Sequence, residues 1–112
     1  MTDTPLHFLD NALIGYQRQL VTELAFCLGE IPTSIRVRVY RSLENEQFSY
    51  EQSHYLQTPL QSEPAFEAVD EHASVAECLQ AISNTMTEQY QRAEAAGHTP
   101  SENWLLPSRD FN

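Results

Sequence analysis

The stretch IRVRVYRSLENEQFSYEQSHYL, residues 35–56, decides how the rest of the chain is read. Ile35, Val37 and Val39 alternate with Arg36, Arg38 and Tyr40, the period of two that marks a half-buried strand. After Leu43-Glu44-Asn45-Glu46 the alternation resumes, with Phe48, Tyr50, Gln52, His54 and Leu56 on one face and Ser49, Glu51, Ser53 and Tyr55 on the other. Pairing Ser42 with Gln47 closes a four-residue loop. It sets Val39 opposite Tyr50, Arg38 opposite Glu51 and Ile35 opposite His54. Facing and register agree, so the stretch reads as an antiparallel hairpin.

Working outward toward the N-terminus, residues 5–28 read as a long helix. Thr4 suits an N-cap and Pro5 the first helical position. Leu9, Leu13, Tyr16, Leu20, Leu24 and Cys27 recur at steps of three and four, and Gly29 and Pro32 supply a stop. Toward the C-terminus, residues 59–73 show no period and read as a long loop. A second helix follows at 75–96. Ser74 and Glu77 form a capping box, Val75, Leu79, Ile82, Met86 and Tyr90 make its apolar stripe, and Gly97 ends it. Residues 98–112 form a tail around the apolar knot Trp104-Leu105-Leu106.

The expected fold is thus α+β: a single two-layer domain over residues 1–112, with a long N-terminal helix, a β-hairpin, a long loop, a C-terminal helix and a short apolar tail. A lone hairpin is a weak sheet. A third strand, from the region of Phe66 or from residues 104–106, or edge-to-edge pairing in a homodimer, would complete it. With 112 residues and 41% hydrophobic content, one core forms without disulfides or metals.

Charge is uneven. The net charge is −10, all six basic residues are arginine, and residues 42–91 carry nine acids with no arginine or lysine. Such a balance disfavours nucleic acid and anionic membranes as partners and favours a basic protein surface. No apolar run is long enough to span a bilayer, and residues 1–5 lack the basic start of a secretory leader, so a cytoplasmic location is expected. Cys27 and Cys78 fall in apolar stripes and read as buried free thiols.

No arrangement points to catalysis or to a cofactor. His7, His54, His72 and His98 lack zinc-ligand spacing, and the acids around Glu67, Asp70 and Glu71 read as a solvated face, so no metal is expected. Ser53 and His54 are neighbours on a strand and so point to opposite faces, which keeps hydroxyl and imidazole apart.

The expected role is that of a small protein-binding module: an adaptor, an assembly factor, or an inhibitor of the immunity type. Its contact residues would be Arg36, Arg38, Tyr40 and Tyr55 on the outer hairpin face, with Trp104 and Leu105 in the tail. Tyrosine, tryptophan and arginine are the types enriched at binding hot spots. The alternative is a small-molecule site, or a minor enzyme, between the inner hairpin face and the helices. Tyr50, Gln52, His54 and Glu67 would be its polar groups. Mimicry of nucleic acid by the acidic block is a third class.

Overall fold

The computed structural model describes residues 12–64 and 71–111. Its elements are strands β1 (Arg18–Phe26), β2 (Ile35–Ser42), β3 (Phe48–Gln52) and β4 (His54–Leu56), then helix α1 (Val75–Ala95) and strand β5 (Leu105–Pro107). A single 3-10 turn, Glu102–Trp104, leads into β5. Strands β1-β2-β3 form one antiparallel sheet in that order, and β4 and β5 form a second.

The expected α+β arrangement with helices at both ends is therefore incorrect. The described part is mostly strand with one helix. The segment read as the body of an N-terminal helix is β1, and the part of that reading before residue 12 lies outside the described residues. Helical spacing of Leu13, Tyr16, Leu20 and Leu24 coexists with a strand pattern in Leu20, Thr22, Leu24 and Phe26. Tertiary pairing decides between them. β2 would otherwise present a bare edge; instead β1 pairs along it from Arg18↔Ser42 to Phe26↔Ile35. An irregularity between Leu20 and Thr22 shifts the register by one residue. It puts Thr22, Leu24 and Phe26 on the same face as Val39, Val37 and Ile35, and Glu23 on the face of Arg38. Tyr16, at φ 53°, bends the chain just before the strand.

The β2–β3 register is the one the alternation dictates: Arg38↔Glu51, Val39↔Tyr50 and Val37↔Gln52. The loop is closed by Ser42 N–H donating to the Gln47 carbonyl at 2.8 Å. The Ser42 hydroxyl accepts from Glu44 and Asn45 N–H. The ladder does not continue to Ile35 and His54. Ser53 bends the chain, β4 leaves the first sheet to pair with β5, and Ile35 is paired to Phe26 instead.

Inside, Ile35, Val37 and Val39 from β2 share one buried cluster with Cys78, Ile82, Met86, Tyr90 and Ala93 of α1. Leu28, Ile31, Leu56, Trp104 and Leu105 complete it. α1 starts on Ser74, whose hydroxyl accepts Glu77 N–H at 3.1 Å, while the Glu77 carboxylate accepts Ala73 N–H. It ends on Gly97, at φ 94°. Its far end pins the β1–β2 connection. The Tyr90 hydroxyl accepts Glu30 N–H at 3.0 Å, and the Tyr90 ring meets Trp104 edge-on at 5.8 Å.

Candidate interaction surface

The outer face of the three-stranded sheet carries a charged lattice built by register. Opposite Arg38 on β1 stands Glu23, and its carboxylate accepts from two arginines at once. Arg38 Nε lies 2.8 Å from Oε1; Arg36 Nη2 lies 2.8 Å and its Nε 3.1 Å from Oε2. The hydrogen bonds from Arg38, then Arg36, hold the Glu23 carboxyl below the usual carboxylate range. Arg38 is raised in turn, chiefly by its bond to Glu23.

Arg38 stands opposite Glu51 in the ladder, yet Glu51 serves other partners. It accepts from the Tyr40 hydroxyl at 3.0 Å and from Arg18 Nη2 at 3.2 Å. The Arg18 guanidinium lies 3.8 Å from the Tyr40 ring centroid. Desolvation first, then the bond to Glu51, raises the Tyr40 phenol above its ordinary value. Phe111 lies over this face from the tail, with its ring centroid 4.1 Å from the Arg38 guanidinium and 5.1 Å from that of Arg36.

Arg36, Arg38 and Tyr40 are thus brought together as the alternation implies. Tyr55 is not on their ladder: it lies on β4, paired with Leu106 in the second sheet. Trp104 and Leu105 are each 5% exposed and pack in the chain's own core.

A neighbouring surface was not foreseen. Ile14, Tyr16, Leu20 and Val21 are exposed, Tyr16 at 80%, Leu20 at 50% and Val21 at 46%. They precede or lie on β1, which pairs on one edge only among the described residues. Glu23, Arg18 and Phe111 were also missed as members of the charged lattice. Glu23 was legible through Thr22, Leu24 and Phe26: reading that alternation as a strand puts an acid beside the β2 arginines.

The inner-face ligand residues disperse. The Gln52 side-chain amide donates to the His54 carbonyl at 2.7 Å. Tyr50 lies against His72, with ring centroids 5.9 Å apart. Glu67 lies outside the described residues. Ser53 and His54 do meet, correcting the expectation that they point apart: Ser53 Oγ is 2.8 Å from His54 Nδ1. The bend at Ser53 removes the strict alternation that would have separated them. Burial lowers the His54 pKa, favouring the neutral ring. Cys27 is exposed rather than buried, because it follows β1 instead of facing a helix neighbour; Cys78 is buried.

A separate apolar cavity of about 310 Å³ opens between β1 and α1, lined by Leu24, Phe26, Val37, Leu79, Ile82 and Met86. No group of three or more potential metal ligands occurs among the described residues, and none of their helices is long and apolar enough to cross a membrane. Comparison with protein-family models, with curated proteins and with solved structures gives no match.

Proposed function

We propose that this chain is a small acidic protein-binding module, an adaptor, assembly factor or immunity-type inhibitor, that takes an extended segment of a basic partner along the edge of β1 that is unpaired among the described residues. The observation that carries the reading is the run of exposed large apolar side chains at Ile14, Tyr16, Leu20 and Val21 beside that edge. A strand edge offers backbone N–H and C=O groups to an incoming chain, and flanking apolar side chains add burial. The net charge of −10, with Glu44, Glu46, Glu63 and Glu71 exposed, complements a basic partner and speeds encounter. The bulge between Leu20 and Thr22 and the charges of Arg18 and Glu23 discourage indiscriminate pairing of the edge.

The test is purification of the tagged chain from its native cells at low and high salt, followed by titration with the purified partner. A stoichiometric partner whose affinity falls at least ten-fold in Leu20→Asp/Val21→Asp, and falls with salt, supports the reading. A partner indifferent to both changes removes it, and a concentration-dependent homodimer replaces it with self-association.

A second reading, small-molecule binding, is favoured by the cavity between β1 and α1. Its volume of about 310 Å³ and apolar walls suit a small apolar ligand. Calorimetric titration with short aliphatic and aromatic compounds tests it, and Met86→Trp, filling the space, abolishes any heat that arises there.

A further inference from the structure

The cavity between β1 and α1 follows from where the helix lies. α1 comes closest to β3, so the inner face of β1 is only partly covered, and Leu24 and Phe26 stay half-buried there. Leu28, Val37, Ile82 and Met86, all buried, form the floor of a space of about 310 Å³. Leu79, also half-buried, joins Leu24 and Phe26 in its walls. An apolar cavity of roughly 150 Å³ holds one benzene ring, so this one holds about ten to twelve carbon-sized atoms. Met86 lets the floor adapt, because an unbranched thioether reshapes around what it meets.

The polar groups of the cavity are confined to its mouth. Its exposed lining residues are Cys27, Ser83 and Thr87. Ser83 and Thr87 stand four residues apart on α1, hence side by side on one helix face. A hydroxyl both donates and accepts, so the pair suits an uncharged polar group. No charged side chain lines the cavity among the described residues. An ion entering it gives up water without gaining a partner. The net charge of −10 adds repulsion for an anion.

We propose that the cavity binds an uncharged amphiphile of about ten heavy atoms, its hydrocarbon body against Leu24, Phe26 and Met86 and its hydroxyl end at Ser83 and Thr87. The proposal rests on the small-molecule reading of this cavity and gives that site its ligand class. It is independent of strand pairing along the edge of β1.

The probes are octanol, octanoate and octylammonium, alike in chain and different in charge, titrated into the full chain by calorimetry at neutral pH. In parallel, mass spectrometry follows the rate at which a thiol reagent labels Cys27, which lines the mouth and is shielded by an occupant. Octanol is expected to bind saturably, at least ten-fold tighter than either ion, and to slow Cys27 labelling. Ser83→Ala/Thr87→Val removes both hydroxyls from exposed positions of α1. It is expected to weaken octanol about five-fold, the worth of one hydrogen bond. Trp104 fluorescence reports that the double variant is folded. Octanoate or octylammonium binding as tightly as octanol overturns the ligand class, and unchanged octanol affinity in the double variant overturns the placing of its hydroxyl; both leave the cavity reading standing. No binding of any probe, with Cys27 labelled at its ligand-free rate, removes the cavity reading and the proposal together.

Discussion

The Ser53 hydroxyl accepts the backbone N–H of Arg36 at 2.8 Å, while the Ser53 N–H donates to the Arg36 carbonyl at 2.8 Å. One residue thus ends the β2–β3 ladder with its own side chain, releases β4 toward β5, and receives the tail through its carbonyl from Ser108. The hydroxyl replaces an acceptor that the departing strand withdraws. Ser53→Ala removes it together with the bond to His54 Nδ1 and is expected to cost about 1–3 kcal/mol, the net worth of two such bonds. Thermal unfolding checks this. Ser53→Thr retains the hydroxyl and is expected to recover most of the loss.

Gly29 sits at φ 54°, and a Cβ there would collide with the Tyr90 ring and hydroxyl. Gly29→Ala therefore combines a left-handed backbone with displacement of Tyr90 from Glu30 N–H and from Trp104. The expected destabilisation is about 2–4 kcal/mol, from overpacking plus the lost bond. Tyr90→Phe, which loses the hydroxyl alone, is expected to cost about 1 kcal/mol. Chemical denaturation of the two variants gives the ranking.

Glu23 supplies stability with a definite pH sign. Its carboxyl is held below its ordinary value of 4.5 by Arg38 and then Arg36. Its contribution is therefore complete above the unfolded value and is lost as pH falls through the lowered folded one. Glu23→Gln is expected to flatten the acid limb of the stability–pH curve while leaving its neutral-to-alkaline shape unchanged. Denaturation midpoints between pH 3 and pH 7 test this, and an unaltered acid limb would sink it.

The two cysteines are expected to separate cleanly toward a thiol reagent. Cys27 is exposed, whereas Cys78 is buried and its thiol is pushed up by desolvation, so less of it is thiolate. Mass spectrometry after brief labelling of the folded chain should find Cys27 modified and Cys78 intact, with both modified after denaturation.

The hairpin and α1 were legible because each rests on one unambiguous local pattern. Alternation and loop length fix Arg38 opposite Glu51, and Ser74 with Glu77 announces the helix start. β1 was misread because its leucines satisfy two periods at once, and the choice between them lies in a partner strand nine residues further on. The bulge at Leu20/Thr22 hides the alternation further. The charged surface was half legible. Arg36, Arg38 and Tyr40 share a face by parity, but Glu23 needed β1 to be a strand, and Phe111 needed the tail's path. Trp104 belongs to the core because the turn Glu102–Trp104 brings it onto Tyr90, a contact between α1 and the tail that no local pattern encodes. Trp104→Ala is accordingly expected to cost about 3–5 kcal/mol of stability, as removal of a buried aromatic does.

The central claim is that the edge of β1 left unpaired among the described residues receives a partner strand. Amide hydrogen exchange on the chain with and without its purified partner tests it most directly. The account predicts new protection at the β1 amides directed away from β2, within residues 18–26, with α1 unchanged. Protection confined to α1 or to the tail, with β1 exchanging as in the free chain, would contradict it.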